Sequence, residues 1–201
     1  MKTKKLLALL FLSLGLIGCS KPKSEDSCGF VQNVYGERVS WKDNLPVKMW
    51  LHASVPAEFE VSIRQAAETW NRSLGRTALV IETQRSTGSL AGGRDNQNVI
   101  YFLNQWERDK SSEQGRTSLY WVGDQIQEAD IRINDYIYNF YSTNPQSGFV
   151  SMESLALHEL GHVLGLKHED ASPSVMATYL RANQERNQLQ QSDQQSLDCE
   201  Y

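Results

Sequence analysis

The segment His158-Glu159-Leu160-Gly161-His162-Val163-Leu164-Gly165-Leu166-Lys167-His168 restricts what this chain can fold into more than any other. His158 and His162 are four residues apart, so on a helix their rings leave one face and can converge on one ion. Gly165 admits a positive φ, where a helix can end and the chain can turn sharply. His168 then returns as a third nitrogen donor. The fold must therefore wrap a helix, a tight break and a returning loop around one point. Three neutral imidazoles leave a fourth zinc position for water, the pattern of a catalytic rather than a structural ion. Glu159 neighbours the first ligand, and its carboxylate can take a proton from that water, whose pKa zinc lowers to about 7. It can then hand the proton to a leaving amine. One catalytic Zn2+ is the expected cofactor. Three of the chain's four histidines lie in this segment, which argues against incidental core or surface imidazoles.

The periodicity of the remaining residues supplies a frame for the motif. Pro46 to His52 has strand character. Pro56 opens a helix to about Arg72, with Phe59, Ile63, Ala66, Ala67 and Trp70 on one stripe and Gly75 beyond its end. Strands are expected at Thr77–Thr83, Val99–Leu103, Thr117–Val122 and Ala129–Asn134, with a loop over 85–98. Val99–Leu103 is nearly all apolar and so reads as central. Helices follow from about Met152 to Leu166 and from about Ser192 to Cys199. The order predicts an α+β fold with a long helix on each side of the cleft.

The N-terminus is unlike the rest. Lys2, Lys4 and Lys5 precede an apolar run, Leu6 to Ile17, of signal-peptide length. Leu16-Ile17-Gly18-Cys19 resembles the lipobox of bacterial lipoproteins, which implies cleavage before Cys19 and acylation of its thiol. The expected divisions are residues 1–18 as signal peptide, 19–44 as lipidated N-terminus, tether and N-terminal segment, and 45–201 as the catalytic domain. By the same resemblance, Ser20 after the cysteine implies sorting to the outer membrane of a Gram-negative bacterium, facing periplasm or exterior. Loss of residues 1–18 leaves 17 basic against 24 acidic residues, a net charge of −7. Attachment to the membrane would thus be through lipid. With no basic, aromatic-interleaved patch, nucleic acid is not the expected partner. Two further cysteines, Cys28 and Cys199, lie near the ends of the mature chain in a compartment that permits a disulfide.

The motif from His158 to His168, with Ser174-Val175-Met176 behind it, resembles the metzincin clan and, within it, the matrixin-like peptidases. Met176 lies eight residues after His168, an interval of the matrixin kind. The resemblance implies a Met-turn, with Met176 as an apolar floor that packs beneath the imidazoles without ligating. Glu128 to Asn134 looks like the matrixin strand ahead of the active-site helix. Thr117–Val122 would then be the antiparallel edge strand over the cleft, open to an extended peptide by strand addition. Ser192-Asp193 to Leu197 resembles the closing helix. Over residues 45–201 the implied fold is a metzincin-like zincin: a twisted mixed five-stranded sheet, a long active-site helix, a Met-turn and a C-terminal helix.

The sequence also departs from the family. The structural zinc of animal matrixins needs ligands that are missing here, where only His52 remains. His52 reads instead as a partly exposed strand residue. Glu169 stands where matrixins carry Ser and is read as an ion-pair or structural residue. Tyr179 lies three residues after Met176, one further than the tyrosine that assists the transition state in astacins and serralysins. With Thr178 and Leu180 it is expected to wall the pocket beyond the scissile bond. Cys28 has a second reading, as an inhibitory thiolate like that of the matrixin propeptide, on the match of Cys28-Gly29 alone. Asp124, Asp130 and Asp135 could bind calcium, but no EF-type loop is present and they read as solvated charge.

The function expected from these residues is a monomeric zinc endopeptidase acting on extended polypeptide at the bacterial cell envelope. A zinc-containing module that binds peptides or envelope polymers without turnover is the alternative. A form held inactive by its N-terminal segment is a third.

Overall fold

The computed structural model describes residues 26–90 and 93–201. The expected signal peptide, Cys19 and residues 20–25 of the expected tether lie outside the described residues. The chain runs through β1 (Val47–Leu51), α1 (Glu60–Leu74), β2 (Leu79–Ile81), β3 (Val99–Leu103), β4 (Gly115–Val122) and β5 (Gln125–Asn134). It continues through β6 (Phe140–Tyr141), β7 (Val150–Ser151), α2 (Met152–Val163) and α3 (Gln191–Asp198). The sheet has five strands in the order β2-β1-β3-β5-β4, parallel except for β4, which runs antiparallel to β5. This is the mixed five-stranded α+β layout expected. β3 sits in the middle with its first four residues buried, as its unbroken apolar sequence requires. β4 lies at the edge, partly exposed along its length. No helix among the described residues is long and apolar enough to cross a membrane.

The helices depart from one expectation. α1 does not flank the cleft but packs behind α2, because its stripe of Ile63, Ala66, Ala67 and Trp70 is buried in the common core. Trp70 Nε1 donates to Leu157 O at 2.9 Å, and its indole lies where a side chain at Gly161 would be. Glycine at 161 leaves room for that indole and for the Met176 side chain against α2. α1 ends on Gly75 at φ 63, the left-handed turn that glycine takes readily. α2 begins on Ser151, whose hydroxyl caps the Ser154 amide, and stops at Val163, short of Leu166. The early stop follows from Gly165, at φ 101 and pressed against Val39 O and Phe30.

Residues 28–44 are built into the same core as the rest. Phe30, Val39 and Trp41 are buried, and Trp41 Nε1 donates to Val163 O at 2.7 Å. Phe30 bridges Leu166, Val31 N donates to Gly165 O, and Lys167 N donates to Gly29 O. Cys28 and Cys199 are joined by a disulfide, so Cys28 offers no free thiolate.

The C-terminus clasps this segment. Glu200 accepts from Arg38 at 2.6 Å, Lys42 at 2.7 Å and Ser40 at 2.6 Å. Burial pushes the Glu200 carboxyl up, but donation from Arg38, Lys42 and Ser40 outweighs it and holds the group below its ordinary range. A carboxyl depressed in the fold contributes stability above its unfolded pKa of about 4.3 and loses it as pH falls through the folded value. The thermal midpoint of the wild type should therefore fall more steeply below about pH 4.3 than that of Glu200→Gln. Parallel pH profiles in thermal unfolding would show that the clasp carries no such stability.

Candidate metal centre

α2 places His158 and His162 one turn apart. A backbone carbonyl can only accept, so the tautomers are set by Val175 O at 2.8 Å from His158 Nδ1 and Leu166 O at 2.7 Å from His162 Nδ1. Both Nδ1 atoms carry the proton, and both Nε2 atoms present lone pairs. Those two nitrogens are 3.1 Å apart. Two lone pairs facing each other at that distance repel unless a cation lies between them. Two nitrogens on a tetrahedral zinc at ordinary bond lengths are about 3.3 Å apart, so the pair is already spaced for the ion. His168 completes the group, with the three donor atoms within 4.8 Å of one another. Burial pushes His158 down to about 3, and burial likewise lowers His162 and His168, so all three are neutral ligands at neutral pH. The donor set fits zinc.

The loop carrying His168 is held on both sides. Lys167 N donates to Gly29 O at 2.8 Å, and Glu169 N donates to Met176 O at 3.0 Å. The Glu169 carboxylate accepts the amides of Ala171 and Ser172, so it shapes its own loop. Met176 is buried, with its sulfur against α2 at Gly161, between the two helical histidines. Asp193 on α3 secures this turn: it accepts from the Ser174 hydroxyl and from Val175 N at 3.1 Å, and also caps its own helix.

Glu159 is buried at the floor of a cleft of about 460 Å³. Burial pushes its carboxyl up to about 7, against the opposing pull of the Thr117 hydroxyl, which donates to Oε2 at 2.6 Å. Gly115, also on β4, makes room for the other oxygen: a Cβ there would lie 2.7 Å from Oε1. Gly115→Ala therefore has one inexpensive remedy, to push the carboxylate aside. We expect it to lower kcat/KM on the order of 10²-fold, with the thermal midpoint little changed. Rate and melting measurements on the same preparation check this, and an unaltered rate would show that the carboxylate's position is not critical.

The cleft is bordered by Thr178, Tyr179 and Leu180. Thr178 is tied down by Asp170, which accepts its hydroxyl at 2.6 Å and its amide at 2.8 Å. Leu180 O accepts from Gln114 at 2.8 Å, closing the wall onto the β4 side. The Arg186 guanidinium braces the wall from behind through the carbonyls of Ala177 and Tyr179.

A sequence profile of the matrixin family matches residues 52–201. The chain belongs to the matrixin family. Comparison with curated proteins gives no match. Family membership makes this matrixin a zinc metallopeptidase by class, and the His158, His162 and His168 group is where the matrixin could hold the metal.

Two sequence readings are corrected. His52 is not partly exposed but buried just beyond β1, with Nδ1 at 2.9 Å from Ser54 Oγ and Nε2 at 3.1 Å from Gly88 O. Asp130 is not solvated: it is buried in β5 and accepts from Val99 N at 3.1 Å. Burial pushes Asp130 up to about 6 against that amide's pull, with Glu128 and Asp95 adding to the rise. Asp124 is paired with Lys42 at 3.3 Å. Thr117, Gly115, Asp170 and Asp193 were not foreseen as parts of the site.

Proposed function

We propose that this matrixin is a zinc-dependent endopeptidase that hydrolyses extended polypeptide at the bacterial cell envelope, with Glu159 as general base. The observation that carries the reading is the Glu159 carboxylate, buried beside the facing Nε2 pair at the floor of a cleft edged by β4. An extended segment adds as a further strand to β4, and one side chain enters the pocket walled by Thr178, Tyr179 and Leu180. When bound by His158, His162 and His168, zinc supplies a Lewis acid that polarises a carbonyl and acidifies water. Thr117 fixes Oε2 of Glu159, and the space at Gly115 leaves Oε1 to accept the proton of the attacking water. Glu159 then delivers that proton to the departing amine. Met176 gives the three imidazoles a dry, unreactive floor.

The cellular setting belongs to the same reading. Residues 1–18 direct export, Cys19 is acylated, and the monomeric domain stays at the outer membrane on a short tether. The test is hydrolysis of an unstructured protein by residues 19–201, before and after chelation. Cleavage should stop with chelator and return with added zinc. A chain that holds one zinc yet cleaves nothing would replace the peptidase with a binding module. Removing residues 20–44 is a poor probe of autoinhibition, since it would strip Phe30, Val39 and Trp41 from the core.

A further inference from the structure

Where the N-terminal segment meets the β4–β5 hairpin, four apolar side chains face water. Val34 and Tyr35, at the tip of one turn, are 93% and 67% exposed. Trp121 and Val122, just before the hairpin turn, are 40% and 62% exposed. The two turns are tied side by side: Asn33 Nδ2 donates to Gly123 O at 2.9 Å, and Ser40 N donates to Asp124 O at 3.1 Å. Turn geometry does not ask for these residues. Asn33 accepts the amides of Tyr35 and Glu37, while Gly36 at φ 79 and Gly123 at φ 64 take the left-handed positions. Charges at the rim are engaged, Lys42 with Asp124 and Glu37 with Asn33. Apolar tips on adjacent turns, rimmed by satisfied polar groups, mark an interaction surface.

The chain itself indicates the partner. Arg38 bonds Asp26 O at 2.8 Å and bridges Gln32 at the base of the turn that carries Val34 and Tyr35. The path toward Cys19 therefore leaves the domain beside this corner. Asp26 lies seven positions after Cys19, a reach of at most about 25 Å when fully extended. We propose that this corner docks into the interfacial layer of the phospholipid bilayer that holds Cys19, an inference that rests on the lipoprotein reading above. Trp and Tyr favour that layer, with an apolar ring on one side and a polar handle on the other. The tether keeps the local lipid concentration high, so shallow insertion of four side chains is enough. The lipid supplies attachment and the corner supplies orientation. Val31 and Leu119 line the cleft close to these two tips. Docking thus turns one end of the cleft toward the bilayer and favours polypeptide near the membrane surface as substrate.

The test uses the acylated chain in vesicles of phosphatidylethanolamine and phosphatidylglycerol, with and without brominated acyl chains. Brominated lipid should quench up to about one-fifth of the emission, the share of Trp121 among five tryptophans. Trp121→Phe should abolish that quenching, and the pair Val34→Ser and Tyr35→Ser should weaken it. The mass of the N-terminal peptide reports acylation separately, so a chain without lipid counts against the lipoprotein reading alone. That chain, coupled through the Cys19 thiol to maleimide-bearing lipid, gives the same docking readout. Unquenched emission from vesicle-held protein overturns the proposal. Cross-linking of two copies through position 121 also overturns it, since the corner then belongs to a second copy.

Discussion

Glu159→Gln is expected to lower kcat/KM on an unstructured polypeptide by about 10²- to 10⁴-fold while zinc remains bound at one per chain. The amide has the carboxylate's shape, and its oxygen can still accept from Thr117, so the floor of the cleft keeps its packing. What it lacks is a basic oxygen to take the proton of water. The group sits where burial already disfavours charge, so a neutral replacement leaves thermal stability unharmed. Rates paired with metal analysis separate the outcomes. Wild-type rates would remove Glu159 from the chemistry. Loss of zinc together with activity would make it a support for the ligands rather than the base.

The largest expected effect on stability comes from the bridge between Cys28 and Cys199. It closes a loop of 171 residues, for which chain entropy gives roughly 5 kcal/mol. Cys28→Ser with Cys199→Ser should then lower the thermal midpoint by roughly 10–20 °C. The effect should reach the metal site, because Gly29 and Val31 pair with the chain between His162 and His168. Thermal unfolding together with zinc titration of the double variant would show both. A midpoint lowered by less than about 3 °C would mean that Arg38, Lys42 and Tyr201 hold the N-terminal segment unaided.

Much of the architecture was legible because it is written locally. The α1 stripe, the apolar run of β3 and the spacing from His158 to His168 each express one period or one turn. The five strands followed, and so did the sheet's class. What stayed hidden depends on contacts between distant residues. Nothing near Thr117 announces that its hydroxyl meets Glu159, 42 positions later. Asp193 reads as a helix start, and only the fold shows that it also grips Ser174 and Val175. β6 and β7 are two residues each, too short for a period to show. Asp130 and His52 misled because polar residues read as exposed unless their buried partners are known. Phe30, Val39 and Trp41 show no period that announces their role, and only the fold shows that they fill the space beneath Gly165 and beside α2.

The bonds on either side of His168 also impose an order of events on the growing chain. One ties its loop to Gly29, near the start of the domain, and the other to Met176, whose turn is fastened by Asp193 near the end. The bond to Gly29 spans 138 positions and is the slow kind of contact to close. A chain emerging N-terminus first has its two helical histidines well before it has a place for the third. The place for the third imidazole is therefore complete only once the segment that carries Asp193 has been made.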